Sequence, residues 1–316
     1  MLVIAAPGQG AQSPGFLSPW LEFPGISERI GTWSELAGCD LARYGTVGDA
    51  DEIKDTAVAQ PLLVAAALSA ATVLGVMARP DGGITAGHSV GELAAGAIGG
   101  VLSADDAMRL VGVRARAMAQ AASAEQTSMT AVLGGDQDDV LACIERHGLT
   151  PANMNAAGQI VAAGTVGQLA AFAADPPPRT KLRPLSVAGA FHTAHMASAV
   201  TSLSAAAATV TVSDPVMTVL SNKDGAAVTS GKDWLERIVA QVSAPVRWDL
   251  CMAAMASMDT TAFIELPPAG TLTAIARRAL PGVQVLALKT PAELEAARSI
   301  LAGHADSHAD SYASQS

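Results

Sequence analysis

Aromatic side chains are nearly missing from this chain: Phe, Tyr and Trp together make up 3% of its 316 residues. A large core must then be built from Ala, Val, Leu, Ile and Met, which suits helices packed over a buried sheet. Charge is scarce as well. Charged residues account for 15% against 50% hydrophobic ones, which excludes an intrinsically disordered chain. Positive charge is the scarcer kind, with 19 Lys and Arg against 29 Asp and Glu and a formal net charge of −10. That balance excludes general nucleic-acid binding, which needs clustered cations, and argues against an anionic membrane as partner. Cysteine is rare too. Cys39, Cys143 and Cys251 are far apart and form no CxxC pair, so neither a disulfide framework nor a zinc site is expected. They read as small buried hydrophobes in a reducing compartment.

Membrane and export signals are also wanting. Met1 to Pro7 has no basic segment and too short an apolar run for a signal peptide. The one long apolar run, Leu62 to Ala78, is interrupted by Ser69, Thr72 and Gly75 and lies at the short end of the spanning range. It reads as a buried helix opened by Gln60-Pro61. The expectation is a soluble, cytoplasmic monomer.

The chain is long for one compact domain. Short apolar runs at 2–6 and 84–86 read as buried strands, and the pattern between them is helical. Between 127 and 187 the order becomes strand-helix-strand-strand-helix-strand, which is the ferredoxin-like arrangement. After it, strands and helices alternate again to 288. These patterns predict an α/β fold: a large, discontinuous α/β-hydrolase-like domain with a parallel sheet, residues 1–126 and 195–302, and a small inserted ferredoxin-like domain, 127–194. The polar tail, 303–316, reads as disordered. Its His304, Asp306, His308 and Asp310 suit a solvated terminus better than a metal site, and no metal is expected anywhere.

The chemistry starts at Gly87-His88-Ser89-Val90-Gly91. A GxSxG run alone is a weak signal, but here a strand precedes it and a helix follows, the context of a nucleophile elbow. The sharp turn needs glycines at 87 and 91, exposes Ser89 Oγ, and aims the Val90 N–H and the helix N-terminus at the same point. Those groups stabilise a tetrahedral oxyanion. The serine needs a base. Of six histidines, His88 should point away from the elbow, His147 reads as a helix cap beside Gly148, and His304 and His308 lie in the tail. That leaves His192 and His195. His192, at the junction of the small and large units where a cleft forms, is the better placed, with His195 open as the alternative.

Three motifs now carry a resemblance: Pro7-Gly8-Gln9-Gly10-Ala11-Gln12, Gly87-His88-Ser89-Val90-Gly91-Glu92 and Gly189-Ala190-Phe191-His192. In order and spacing they resemble the malonyl-CoA:acyl carrier protein transacylases. Supporting runs include Gln60-Pro61, Pro151 to Asn155, Ser221 to Gly225 and Gln241 to Trp248, so the resemblance spans the chain except its tail and looks closest to actinobacterial fatty-acid synthesis enzymes. It implies Ser89 as nucleophile, His192 as base, and the backbone N–H groups of Gln9 and Val90 as oxyanion hole. It implies Arg114 as partner of the malonyl carboxylate, to which a guanidinium offers a planar fork. Arg116 is the competitor, but residues two apart on a helix point about 200° apart, so only one faces the pocket. Gln241 matches the position whose main-chain carbonyl holds the histidine, giving a dyad with a neutral orienter. Asn155 and Gln60 are implied near the pocket. Glu265-Leu-Pro-Pro-Ala-Gly270 departs from a more glycine-rich turn in the family.

Phe191 and Val90 match the malonyl-selective pattern of the family, the ring at 191 crowding an α-methyl group. The resemblance implies ping-pong transfer from malonyl-CoA through a malonyl-serine to the phosphopantetheine thiol of acyl carrier protein, with no cofactor. An acidic carrier protein would need a local basic patch, for which Arg179, Lys181 and Arg183, or Arg277 with Arg278, are candidates. Two rivals remain: a serine thioesterase or esterase with the same elbow, in which Arg114 has no purpose, and a non-catalytic carrier-protein-binding module, which would not need both Ser89 and His192.

Overall fold

The computed structural model describes residues 1–79 and 83–313. The chain opens with β1 (Leu2–Ala6), α1 (Ile26–Ala37), α2 (Leu41–Thr46), α3 (Thr56–Leu74) and β2 (Ile84–Gly87). Next come α4 (Gly91–Ile98) and α5 (Ala104–Ser123). The middle section holds β3 (Thr127–Gly134), α6 (Gln137–Arg146), β4 (Thr150–Ala156), β5 (Gln159–Thr165), α7 (Val166–Ala174) and β6 (Thr180–Pro184). Then follow α8 (Ala197–Ala207), β7 (Thr218–Leu220), β8 (Ala227–Val228), α9 (Gly231–Gln241), β9 (Val246–Arg247) and α10 (Trp248–Ser257). The last elements are β10 (Ala262–Glu265), α11 (Thr271–Ala279), β11 (Gln284–Ala287) and α12 (Leu294–Ala313).

The first sheet runs β11-β10-β1-β2-β7-β8. Its first five strands are mutually parallel and β8 is antiparallel at the edge. Buried on both faces, β1 is continuously apolar, as a strand sandwiched between helices must be. One helical layer includes α3, which begins at Thr56 and not at Gln60. Asp55 supplies the reason, since its side chain accepts the Ala57 N–H at 2.7 Å and caps the helix there. By length and composition α3 could cross a membrane, yet 78% of its apolar window is buried within the protein.

The second sheet runs β6-β3-β5-β4-β9. Segment 127–184 supplies four of its strands, all antiparallel to their neighbours in the spatial order fourth, first, third, second. The expected unit 127–194 does not close this sheet alone. β9, drawn from beyond α9, adds a parallel edge against β4. The two faces also differ. Val132, Ile160 and Ala162 pack with Val140, Ile144 and Phe172 of α6 and α7. Met129, Ala131, Val161 and Ala163 join the core of the first sheet's helices. The pleat thus splits alternate side chains between a private core and a shared one, and the shared face carries the cleft described below.

α12 runs to Ala313. His304 anchors the turn through Nδ1 to the Ile300 carbonyl at 2.9 Å and Nε2 to Thr261 Oγ1 at 2.7 Å. Residues 314–316 lie outside the described residues.

Candidate active site

The β2–α4 turn bends as sharply as its sequence demands. Ser89 has φ +53°, a left-handed conformation that costs a side-chain-bearing residue energy and persists only where surroundings enforce it. The glycines are steric necessities. A Cβ on Gly87 would lie 1.9 Å from the Gly91 carbonyl carbon, and one on Gly91 would lie 2.3 Å from the Ala6 carbonyl oxygen. Asn222 clamps the turn. Its Oδ1 accepts the Ser89 N–H at 2.8 Å and its Nδ2 donates to the Gly87 carbonyl at 2.8 Å.

Ser89 Oγ lies 2.7 Å from His192 Nε2. His192 Nδ1 lies 2.9 Å from the main-chain oxygen of Gln241. A carbonyl can only accept, so it fixes the proton on Nδ1 and leaves Nε2 free to accept from the serine. Burial, and then the positive charge of Arg114, pull the His192 pKa down to about 3, so the ring is neutral. His195 is directed elsewhere, with Nδ1 2.8 Å from Glu125, which resolves the choice between the two histidines geometrically.

Arg114 is almost wholly buried on α5. Its Nη1 donates to Gln60 Oε1 at 2.5 Å, and its Nη2 to Gln241 Oε1 at 3.1 Å and to Ser89 Oγ at 3.3 Å. Burial lowers its pKa to about 10, countered by Glu92, and it remains a cation at neutral pH. Among the described residues no carboxylate forms an ion pair with it. Arg116 turns away, donating to the Ala37 carbonyl.

The cleft above Ser89 encloses about 100 Å³ and is lined by Gln9, His88, His192, Asn153, Phe191 and apolar residues including Val161 and Leu185. Asn155 sits beside the cleft, its Oδ1 lying 2.9 Å from the Nε2 of the lining residue His88. His88 both lines the cleft and turns toward Asn155, and burial holds its pKa below the usual histidine range. The asparagine facing the cleft is Asn153, two residues earlier.

Two further residues matter here that no chemical pattern flagged. Asn222 is one. Glu92, in the first turn of α4, is the other: only 2% exposed, it accepts the Asn222 N–H at 2.7 Å and a hydrogen bond from Gln241 Nε2. Burial pushes its carboxyl up to about 8 against the opposing pull of the Asn222 N–H and Arg114. Both residues sit inside recognisable runs, but nothing marks a lone acid or amide as structural support until its neighbours are known. Glu265, in the departing loop, accepts the N–H groups of Gly270, Leu272 and Thr273 and caps α11. No group of three or more metal-ligating side chains occurs among the described residues.

Comparison with known proteins adds to this geometry. The family model of the acyl transferase domain matches residues 32–303. Malonyl CoA-acyl carrier protein transacylase of Mycobacterium tuberculosis (strain ATCC 25618 / H37Rv) is 52% identical over 298 residues, 93% of this chain and 98% of that protein. The crystal structure of MCAT from Mycobacterium tuberculosis superposes with a TM-score of 0.91 at 51% identity, covering 94% of this chain and 99% of the other. A type II PKS acyl-carrier protein in complex with its malonyl-transacylase matches at TM-score 0.86 and 26% identity, covering 94% and 99%. The chain belongs to the acyl transferase family, among the malonyl CoA-acyl carrier protein transacylases.

Proposed function

We propose that this protein moves a malonyl group from malonyl-CoA to the phosphopantetheine thiol of an acyl carrier protein by a ping-pong route through malonyl-Ser89. One observation carries the reading: a single oxygen, Ser89 Oγ, lies 2.7 Å from a neutral, oriented imidazole and 3.3 Å from a buried guanidinium with no carboxylate partner among the described residues. The imidazole suits a nucleophile's base. The unpaired buried cation suits an acyl group bearing its own carboxylate.

In the first half-reaction the malonyl carboxylate pairs with Arg114, and Ser89 Oγ attacks the thioester carbonyl as His192 Nε2 takes its proton. The backbone N–H groups of Val90 and Gln9 hold the developing oxyanion. The C–S bond breaks and His192 returns the proton to the CoA sulfur. In the second half the incoming pantetheine thiol gives its proton to His192 and attacks the malonyl-serine, and Ser89 is regenerated. Gln241 holds His192 through its carbonyl and Arg114 through its side chain, and Gln60 holds the other guanidinium nitrogen. No cofactor takes part.

Phe191, buried beside His192, narrows the cleft against an α-methyl branch, so malonyl is the acyl group. On the carrier side, Lys181 and Arg183 are exposed on the edge strand β6, a few residues before the cleft-lining Leu185. That position favours them over Arg278, whose Nη2 donates to Gln159 Oε1 at 2.8 Å. The architecture is read as an α/β-hydrolase-like large domain with a ferredoxin-like insertion, acting as a cytoplasmic monomer. Intact mass after mixing with malonyl-CoA tests the function. A malonyl adduct on the wild type that Ser89→Ala lacks is expected. Free malonate without transfer to a carrier protein would favour a thioesterase, and a normal adduct on Ser89→Ala would overturn the reading.

A further inference from the structure

Beneath the elbow lies a carboxylate that the transfer chemistry does not use. Glu92 Oε1 accepts the backbone N–H of Asn222, and Oε2 accepts from Gln241 Nε2. The second Gln241 N–H goes to Asn222 Oδ1 at 3.2 Å, and Gln241 Oε1 faces Arg114 Nη2 at 3.1 Å. Asn222 Oδ1 in turn receives the Ser89 N–H. Three members of this network are obligatory donors: the Asn222 N–H, the Ser89 N–H and the guanidinium. They fix the orientation of both amides only if position 92 accepts and never donates. Glu92 does that when ionised, above the pH of about 8 to which burial pushes its carboxyl, and a carboxamide never does.

We propose that Glu92 is a positioning residue for malonyl selection. Its carboxylate holds the Gln241 amide with oxygen toward Arg114, and so keeps the guanidinium aimed at the acyl carboxylate. The same carboxylate, through Asn222, braces the Ser89 turn. This role rests on the proposed malonyl transfer: Glu92 works behind the side chains that hold Arg114 and Ser89. Glu92→Gln exposes the logic. With its oxygen on the Asn222 N–H, the new NH₂ meets Gln241 Nε2, donor against donor. If Gln241 flips to relieve that clash, its NH₂ meets Arg114 and its oxygen meets Asn222 Oδ1. If residue 92 flips instead, its NH₂ meets the Asn222 N–H. Every arrangement leaves donors facing donors, and the first two dislodge the acceptor that holds Arg114.

The test is the rate of Ser89 acylation by malonyl-CoA and by acetyl-CoA, each as kcat/KM, in the wild type and Glu92→Gln, at a pH above about 8 where Glu92 is ionised and Arg114 still charged. The expected result is a fall of about tenfold to hundredfold for malonyl-CoA and a much smaller one for acetyl-CoA, so that the malonyl preference shrinks by about tenfold. A preference unchanged in the variant, whether both rates hold or both fall in proportion, overturns the proposal, because a merely structural acid would not distinguish the two donors. If Glu92→Gln does not fold, Glu92→Asp keeps an acceptor-only side chain at the position and should retain most of the malonyl preference; a preference lost in Glu92→Asp overturns the proposal. A wild type that takes no malonyl group on Ser89 would sink the parent reading instead.

Discussion

Acidification should unfold this protein through His192, by an amount that its surroundings set. In the folded state burial and Arg114 hold the ring neutral, with a pKa of about 3 against an ordinary 6.5. The unfolded chain binds a proton as pH falls through 6.5, while the folded chain cannot until about 3. The sign follows: the unfolded state binds more protons, so the stability that the neutral ring contributes is fully present above 6.5 and drains away below it. Across that window the loss is about 1.4 kcal/mol per pH unit. Between about pH 7.5 and about pH 5.0, only the last 1.5 units or so count, giving about 2 kcal/mol. Urea unfolding of the wild type and His192→Asn at the two pH values measures this. The wild type should lose about 2 kcal/mol more than the variant. His88, also buried and depressed, is present in both and cancels. Equal pH dependence in the two proteins would refute the reasoning. The kinetic counterpart is an acylation rate with no inflection near 6.5, since the base stays neutral through that range.

Three other outcomes follow from the site. Arg114→Met should cut kcat/KM for malonyl-CoA by about 10² to 10⁴, from the loss of two charge-assisted hydrogen bonds to a carboxylate, and should touch acetyl-CoA far less; equal losses would argue against a carboxylate partner. Gly91→Ala places a Cβ 2.3 Å from the Ala6 carbonyl oxygen and should destabilise the fold by about 3 kcal/mol or more; an unshifted melting temperature would contradict the packing. Phe191→Ser should raise methylmalonyl-CoA turnover relative to malonyl-CoA, and an unchanged ratio of the two rates would remove Phe191 from the account of specificity.

Much of the site was legible because its chemistry needs local patterns. Glycines at 87 and 91 follow from a turn too tight for a Cβ, and the strand before Ser89 and the helix after it follow from apolar runs. The spacing on α5 showed that Arg114 and Arg116 cannot share a face, and they do not. What stayed hidden was relational. Asn155 and Asn153 are chemically alike and two residues apart, and a register shift in β4 between Pro151 and Asn153 and another between Met154 and Ala156 decide which of them meets the cleft. Glu92 and Asn222 lie 130 positions apart in the sequence and meet only through the fold. The small sheet's fifth strand was missed for a similar reason: β9 is two residues long, too short to show any period.

The parallel sheet has a consequence for how the protein must be made. β1 precedes β10 by most of the chain, yet it lies between β2 and β10, and its register with β10 pairs Leu2 with Ala262. Half of that strand's hydrogen-bonding capacity therefore waits for more than 250 further residues to leave the ribosome. By residue 241 every group proposed for catalysis exists, but the central strand still has an open edge, which is the kind of edge that pairs with the wrong chain. Folding of this molecule is thus a late event, and a nascent chain stalled before β10 would carry the complete set of reactive side chains on an unfinished scaffold.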